Sequence, residues 1–146
     1  MAVLVGLQAS GKTTFCQQVL GAGYVHVSKD NFPNARNRQA RQLRLVREAL
    51  AAGRDVVVDN TNPSPAEWQP LIEVARQGGA NVVAYWFPPD LDGSMRRNAG
   101  RDGRSRVPEP GITATMAKMC RPGTADGFDA VFTVRLDDRS GFEVNQ

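Results

Sequence analysis

The sequence is poor in the residues that build metal clusters and disulfide frameworks. Its 146 residues include one histidine, His26, and two cysteines. Cys16 and Cys120 lie far apart, with no CxxC spacing and no histidine cluster beside either of them. This arrangement argues against a metal site built on sulfur, and it favours a chain kept reduced inside the cell. We therefore expect a cytoplasmic protein.

The sequence also lacks a long hydrophobic run. No apolar stretch approaches the roughly 20 residues that a helix needs to cross a bilayer, so no membrane partner is expected. The opening MAVLVG is typical of a buried strand and not of a basic leader with a cleavable segment. Hydrophobic residues make up 41% of the chain and charged ones 23%, which predicts a monomeric globular domain over residues 1–146. The net charge of +3 only weakly indicates anionic partners such as phosphates.

Strand-like and helix-like segments alternate along the chain. Apolar, β-branched runs predict five strands, at Ala2–Val5, Tyr24–Ser28, Asp55–Asp59, Asn81–Phe87 and Ala130–Leu136. Helical spacing of apolar residues predicts four helices, at Lys12–Leu20, Arg36–Ala52, Ser64–Gln77 and Thr113–Met119. Strands separated by helices predict an α/β fold with a doubly wound, parallel five-stranded sheet and helices on both faces.

The first and third predicted helices allow finer predictions. In the first, Phe15 and Val19 stand four residues apart and are expected on one apolar face. In the third, Ser64 followed by Glu67 matches a capping box, the pattern of a helix start. Pro70 has no N–H to donate inside that helix, so a bend or a late start is expected there.

The segment GLQASGKT matches the phosphate-loop pattern G-x-x-x-x-G-K-[ST] in full. It follows a predicted strand and opens a predicted helix, as the pattern requires. Glycines let backbone N–H groups point at an anion, and the helix start adds a favourable dipole. Lys12, expected at a solvent-facing loop end, would reach the β- and γ-phosphates of ATP, and Thr13 would bind Mg²⁺. The alternative is a chance glycine-rich turn. The predicted nucleotide-binding residues are the eight of this segment and the threonine that follows it: Gly6, Leu7, Gln8, Ala9, Ser10, Gly11, Lys12, Thr13 and Thr14.

Two carboxylates are predicted at the same edge of the sheet as this loop. Asp30 follows the second predicted strand and Asp59 ends the third, and ligands of such sheets bind outside the carboxyl ends of the strands. One acid can take the proton of an attacking hydroxyl, and another can hold a metal ion. The alternatives are a helix cap or turn at Asp30 and a strand-end turn with Asn60 at Asp59.

Several segments resemble the kinase domain of the polynucleotide kinase-phosphatase family. The most particular are AGYVHVSKDN (residues 22–31) and VVVDNTNP (residues 56–63), and the likeness extends to RRN (residues 96–98) and RPGTADGFDAVFTV (residues 121–134). That family transfers the γ-phosphate of ATP to a 5′-hydroxyl of DNA or RNA. The resemblance implies a general base at Asp30, with Lys12 and Thr13 as nucleotide and metal residues. The resemblance matches Asp59 to the acidic start of that family's Asn-Thr-Asn segment, while its place at the strand end makes Asp59 the predicted metal ligand. The predicted substrate-binding residues are Asp30, Asp59, Asn60, Thr61 and Asn62.

A charged stretch after the fourth predicted strand, at about 91–106, is interpreted as a short mobile lid. Phosphoryl transfer needs charge stabilisation, which arginines of a lid can supply, and Gly100 and Gly103 would let it move. The resemblance favours Arg97 and Arg101 as catalytic residues, and it suggests Arg121 as a weaker nucleotide contact. The alternative is a solvated basic loop.

The second predicted helix carries five arginines on the side opposite its apolar residues: Arg36, Arg38, Arg41, Arg44 and Arg47. This set, the arginine face, is either a solvated surface or a contact for a nucleic-acid backbone. Trp68 and Trp86 are interpreted as structural. The phage enzymes of the resembled family carry an arginine three residues after the base, where this chain has Pro33.

Three functions therefore stand beside one another. The first is an ATP- and Mg²⁺-dependent kinase acting on the 5′-hydroxyl of a polynucleotide. The second is a kinase acting on a hydroxyl of a sugar, nucleoside or antibiotic, and the third is a non-catalytic ATP-binding module. A pure binder would not need Asp30, which argues against the third.

Overall fold

A single six-stranded sheet organises the computed structural model, which describes residues 1–146. The strands are β1 (Ala2–Val5), β2 (Tyr24–Val27), β3 (Asp55–Asp59), β4 (Val83–Trp86), β5 (Ala130–Leu136) and β6 (Phe142–Asn145). Their order is β2-β3-β1-β4-β5-β6, and the pairs among the first five strands are all parallel. The predicted α/β fold with a parallel sheet is confirmed.

The predicted number of strands is wrong by one. β6 returns antiparallel to β5 and pairs Leu136 with Phe142. The reversal is closed by Asp137, whose carboxylate accepts hydrogen bonds from the N–H groups of Arg139 and Gly141. Of the four residues of β6 only Phe142 is part-buried, so the segment lacks the apolar run that marks the other strands.

Five helices connect the strands: α1 (Lys12–Phe15), α2 (Arg38–Ala51), α3 (Pro65–Gln77), α4 (Leu91–Ala99) and α5 (Glu109–Lys118). A π-helical turn, Cys16–Leu20, continues α1. A 3₁₀ turn, Lys29–Asn31, follows β2. The predicted helices are all present, but α5 begins four residues earlier than expected. The fifth helix, α4, lies in the stretch interpreted as a lid.

The start of α3 differs from its predicted form. The helix begins at Pro65 and runs through Pro70 to Gln77, so the late start expected from Pro70 does not occur. The Ser64 hydroxyl donates to the Glu67 carboxylate instead of accepting a backbone N–H, so the capping box does not form as predicted. Trp68 is fully buried, in agreement with its predicted structural role.

The two faces of the sheet bury different helices. Val3 and Val58 pack with α2 and α3 on one face, whereas Leu4 and Val57 pack with α1 on the other. The π-helical turn alters the face that α1 presents: Phe15 and Cys16 are buried, but Val19 is 48% exposed, contrary to the predicted apolar pair. Helices therefore cover both faces, as a parallel sheet requires.

None of the helices has the length and apolar character needed to traverse a lipid bilayer.

Candidate active site

The phosphate loop leaves β1 and wraps around the amine of Lys12. Lys12 Nζ donates to the carbonyl oxygens of Gly6 at 3.0 Å and Leu7 at 2.5 Å, and to Ser10 Oγ at 3.3 Å. The side chain is buried, so the solvent-facing position expected from the sequence is wrong. Burial lowers the pKa of Lys12 to about 8, although the nearby charge of Asp59 opposes the shift. The amine therefore remains largely protonated at neutral pH.

Two positions of this loop require glycine. Gly11 has a φ of 93°, and a Cβ there would lie 3.3 Å from Cε1 of Phe142 on β6. A Cβ on Gly6 would lie 2.8 Å from Cβ of Phe87, closer than real atoms approach. A side chain at Gly6 would therefore clash with Phe87, and one at Gly11 would be strained by its backbone conformation, which explains both glycines of the motif.

Asp59 connects the loop to the edge of the sheet. Its carboxylate oxygen Oδ2 accepts a hydrogen bond from Thr13 Oγ1 at 2.8 Å and lies 2.9 Å from His26 Nε2. Asp59 is 5% exposed, whereas the His26 side chain is 37% exposed. Two chain-distant residues, one from the phosphate loop and one from β2, therefore converge on one buried carboxylate.

The charge of Asp59 is maintained despite its burial. Burial favours the neutral acid, but the hydrogen bonds from His26 and Thr13 and the charge of Lys12 outweigh it, so the pKa of Asp59 is lowered. The same hydrogen bond raises the pKa of His26. Asp59 thus presents an ionised carboxylate beside the Thr13 hydroxyl, and these are the two groups predicted to hold Mg²⁺.

Asp30 lies in a different environment, in the 3₁₀ turn after β2. Ser28, not Asp30, caps this turn: the Ser28 hydroxyl accepts the N–H of Asp30 at 3.3 Å. The Asp30 side chain is exposed, and its carboxylate forms no hydrogen bond or ion pair. Asp30 raises the pKa of Lys12 and Arg101 lowers it, behind the larger effects of burial and Asp59, so both lie within electrostatic range of the amine.

The Asn-Thr-Asn segment, residues 60–62, connects the end of β3 to neighbouring elements through hydrogen bonds. Asn60 Oδ1 accepts the N–H of Lys29 at 2.9 Å, and Asn60 Nδ2 donates to the buried Gln42 at 2.6 Å. Asn60 thereby links β3, the turn that carries Asp30, and α2. The Thr61 carbonyl accepts the N–H of Gly6 at 3.0 Å.

Asn62 is buried, and its amide donates to the Leu4 carbonyl at 2.8 Å. Its placement does not fit the predicted substrate contact, because the side chain has no exposed donor to offer. The residue instead supports the backbone of β1, and its φ of 43° is a left-handed conformation in which asparagine is one of the better tolerated residues.

The stretch interpreted as a lid, at about 91–106, contributes one arginine directly to the phosphate loop. Arg97, on α4, donates from Nε to the Ala9 carbonyl at 2.5 Å. Arg101 donates to the carbonyl of Ser105 at 3.3 Å within the lid itself. Gln8 Nε2 donates to Thr115 Oγ1 at 2.9 Å, so α5 also contacts the loop. Helices α4 and α5 therefore both contact the phosphate loop.

Asn98 fixes the base of the lid. Its buried side chain donates to the Val107 carbonyl at 2.6 Å and accepts the Val107 N–H at 2.8 Å. The two hydrogen bonds bring the residues on either side of segment 99–106 together. Asn98 belongs to the RRN segment, but the sequence offered no reason to expect this role.

Other predicted residues are not drawn into the cluster. The Arg121 side chain is exposed and forms no hydrogen bond or ion pair. Thr14 is exposed. All five members of the arginine face are exposed, and Arg41 lies over the Phe32 ring, 5.0 Å from its centroid.

The sequence interpretation missed His26 and Cys16, which face the same side of the sheet as Asp59. Strand alternation was the available signal: Val27 and Val58 pack toward α2 and α3, so their neighbours His26 and Asp59 face α1. Cys16, at the end of α1, is buried on that face. Burial, with a further contribution from Asp59, raises the pKa of Cys16 to about 12.

Residues 1–122 match the family model described as an AAA domain. A bifunctional polynucleotide phosphatase/kinase of Schizosaccharomyces pombe is 24% identical over 135 residues, which cover 90% of this chain and 32% of that protein. A putative bifunctional polynucleotide phosphatase/kinase of Acanthamoeba polyphaga mimivirus is 39% identical over 84 residues, covering 57% of this chain and 19% of that protein. An L-seryl-tRNA(Sec) kinase of Methanococcus maripaludis is 24% identical over 147 residues, covering 88% and 56%. The chain spans less than two thirds of the length of each of these relatives.

Solved structures of kinases share the fold. A fungal RNA kinase superposes with a TM-score of 0.72 at 20% identity, covering 96% of this chain and 77% of that one. A gluconokinase from Sinorhizobium meliloti 1021 superposes with a TM-score of 0.64 at 19% identity, covering 92% and 81%. The chain therefore has the fold of P-loop kinases, a fold that by itself does not resolve the phosphate acceptor.

Proposed function

The chain belongs to the AAA domain family, and from that premise we propose that it transfers the γ-phosphate of ATP to the 5′-hydroxyl of a polynucleotide. We also propose that residues 1–146 act as one kinase domain whose lid lies at about 91–106. The kinase fold supports ATP as the donor. The observation that carries the proposal is the arrangement of two carboxylates at the phosphate loop. Asp59 is bonded to Thr13 at 2.8 Å, and Asp30 has no partner beside the charge of Lys12.

Lys12 and the loop backbone are proposed to bind the donor phosphates. The Lys12 amine now donates to three oxygens of its own loop, so β- and γ-phosphate oxygens would replace these acceptors when ATP enters. Because the amine lies in a buried region of low dielectric, its attraction to a negative charge is stronger there than in water. We therefore propose that Lys12 stabilises the charge that grows on the transferring phosphoryl group.

Asp30 is proposed as the general base. Its carboxylate is exposed and unpartnered, so it is free to accept the proton of an acceptor hydroxyl while that oxygen attacks the γ-phosphate. The proton moves to the carboxylate, and the phosphoryl group moves from the β–γ bridging oxygen of ATP to the acceptor oxygen. Asn60 acts as a positioning residue for Asp30. Its Oδ1 accepts the N–H of Lys29 at 2.9 Å and so holds the turn that carries Asp30.

The donor groups beside the loop fit Mg²⁺. Thr13 Oγ1 and Asp59 Oδ2 are adjacent oxygens, one neutral and one ionised, which is the kind of ligand this ion takes. When bound, Mg²⁺ neutralises charge on the β- and γ-phosphate oxygens. Arg97 and Arg101 are proposed to add positive charge from the lid, Arg97 from its position at the Ala9 carbonyl.

The polynucleotide acceptor is supported by two observations. The particular segments of the resemblance, residues 22–31 and 56–63, form the Asp30 turn and the Asp59 edge, and two relatives are named as polynucleotide phosphatase/kinases. The arginine face begins with Arg36, shortly after this turn ends at Asn31, and its five exposed side chains offer a cationic track for a phosphate backbone.

The test is a transfer assay with labelled ATP, Mg²⁺ and a panel of acceptors. We expect label on oligonucleotides with a 5′-hydroxyl and none on the same oligonucleotides carrying a 5′-phosphate. Lys12→Ala should abolish transfer, and a circular dichroism spectrum would verify that this variant folds. Label on gluconate, other sugars or nucleosides, with none on any oligonucleotide, would instead establish a small-molecule kinase. Transfer by Lys12→Ala at the parent rate would refute the kinase mechanism.

A further inference from the structure

Three potential metal ligands from separate parts of the chain converge beside the phosphate loop. Cys16 Sγ, a ring nitrogen of His26 and a carboxylate oxygen of Asp59 all lie within 4.8 Å of one another. The proposed kinase mechanism uses only the oxygen of Asp59, together with Thr13. It leaves the sulfur and the nitrogen without a role.

Cys16 reaches this cluster where α1 changes its winding. The Gly21 N–H donates to the Cys16 carbonyl, five residues back, at 2.8 Å, which is the hydrogen bond of a π-helical turn. Such turns are rare in proteins, and those that occur are often found at functional sites. The change in winding buries Cys16 while Val19 faces solvent. Spacing in the sequence argued against a sulfur-based metal site, but the fold brings together ligands that lie far apart along the chain.

We propose that Cys16, His26 and Asp59 form a binding site for a thiophilic divalent cation of the Zn²⁺ class. A set of one sulfur, one nitrogen and one oxygen is unlike the all-oxygen set that Mg²⁺ prefers, and it suits Zn²⁺ or Co²⁺. Three protein ligands and one solvent molecule complete the four-coordinate geometry of such an ion. Cys16 and Asp59 are both 5% exposed, and the half-exposed ring of His26 gives the ion a route from solvent.

The geometry needs only a small adjustment to accept the ion. With metal–ligand bonds of roughly 2.0–2.3 Å, the ligand atoms of a tetrahedral site lie about 3.3–3.8 Å apart. In the present structure His26 Nε2 and Asp59 Oδ2 are 2.9 Å apart, and the three ligand atoms all lie within 4.8 Å of one another. As the ion binds, the thiol proton leaves to solvent, and the proton that Nε2 of His26 donates to Asp59 is also released. The neutral ring then carries its proton on Nδ1 and offers Nε2 to the ion.

Occupation of this site has a consequence for catalysis, which rests on the proposed function. Asp59 Oδ2 is both the oxygen that Thr13 bonds at 2.8 Å and the one closest to His26. A cation held by Cys16 and His26 competes for that oxygen and draws it away from the Mg²⁺ position. Zn²⁺ therefore inhibits transfer even when Mg²⁺ and ATP are in excess.

Cobalt spectroscopy of the reduced full chain tests the site without any need for activity. Titration with Co²⁺ should produce a thiolate-to-cobalt charge-transfer band in the near ultraviolet that saturates at one ion per chain and disappears on addition of Zn²⁺. Cys16→Ala should abolish the band, and the matched control Cys120→Ala, at the exposed cysteine, should keep it. A parent protein without the band, or a band that is lost in the Cys120 variant instead, overturns the site.

His26→Gln provides a second variant at low risk of misfolding, because its ring is partly exposed on an edge strand. It should weaken Zn²⁺ binding by at least the roughly 10–100-fold that the loss of a supporting partner costs. Unchanged affinity in this variant overturns the proposed ligand set. Transfer that persists at saturating Zn²⁺ overturns the competition for Asp59. A cobalt band in a protein that phosphorylates no hydroxyl contradicts the proposed function while supporting the metal site.

Discussion

The ends of β2 and β3 lie side by side at one edge of the sheet, yet they hold their carboxylates in opposite states. Asp59, at the end of β3, is buried and bonded to Thr13 and His26. Asp30, just after β2, is exposed and its carboxylate has no partner. The difference teaches that position at a strand end does not determine a role. A fixed carboxylate suits a bound ion, whereas a free one suits proton transfer to and from a mobile substrate.

The largest expected effect comes from removing the charge of the free carboxylate. Asp30→Asn should lower the single-turnover transfer rate by roughly 10²–10⁴-fold, the usual contribution of a general base. ATP affinity, measured by calorimetry, should remain unchanged because the carboxylate bonds to nothing in the donor site. The matched control is Asp55→Asn, an exposed carboxylate at the start of β3 and so at the opposite end of the strand from Asp59. Transfer at the parent rate would remove Asp30 from the mechanism.

Removing the charge of the fixed carboxylate should affect stability as well as activity. Asp59→Asn weakens the hydrogen bonds to Thr13 and His26, and we expect the free energy of unfolding to fall by about 1–3 kcal/mol. Added Mg²⁺ and ATP should stabilise this variant less than the parent in urea denaturation. Equal unfolding midpoints for Asp59→Asn and Asp30→Asn would show that the two carboxylates do not differ in the way described.

The cationic surface near the free carboxylate offers a smaller effect on acceptor binding. Each phosphate contact contributes about 0.7 to the slope of log affinity against log salt for a single strand. Replacing Arg44 and Arg47 by Gln should therefore reduce that slope by about 1.4, as measured by fluorescence anisotropy with a 5′-hydroxyl oligonucleotide. Arg135 and Arg139, exposed at the β5–β6 end, supply the control pair. The same slope in all three proteins would make the arginine face a solvated surface.

The smallest expected effect is a pH dependence of the His26–Asp59 pair. The hydrogen bond to Asp59 raises the pKa of His26, so its stabilisation is complete below the unfolded value of about 6.5 and disappears as pH rises through the folded pKa. The pKa of Asp59 is lowered, so its contribution is lost as pH falls below about 3.9. The difference in unfolding free energy between the parent and His26→Gln, measured with EDTA present, should be largest between these two limits. A difference that grows from pH 6 to pH 9 would contradict this assignment.

The sheet could be predicted because its central strands are continuously apolar. Val56, Val57 and Val58 are all buried, on alternate faces of the sheet. Such a continuous apolar run is typical of a strand that is covered on both faces. β6 escaped prediction because it packs through Phe142 alone and depends on the hairpin that Asp137 closes. The helix α4 escaped for a related reason: its start depends on Asp90, which accepts the Gly93 N–H, and not on an apolar period.

The site was predictable where a motif determines the backbone and not where distant residues meet. The loop from Gly6 to Thr13 followed from the pattern alone. The burial of Lys12 did not, because it depends on the carbonyls of Gly6 and Leu7 turning toward the amine in the folded loop. The contact of His26 with Asp59 spans 33 positions and needs the β2–β3 register, which the sequence contains only as strand alternation.

The pair of hydrogen bonds between Asn98 and Val107 determines where extra residues can be inserted into this protein. Because the two residues are joined at the base of the segment, extra chain placed at its tip need not disturb either flanking helix. Residues 102–106 are all exposed, and doubling the length of a flexible loop costs only about 0.6 kcal/mol. A peptide tag or fluorescent reporter inserted between Asp102 and Gly103 should therefore be accepted by the fold. The same insertion next to Asn98 would instead disrupt its hydrogen bonds to Val107.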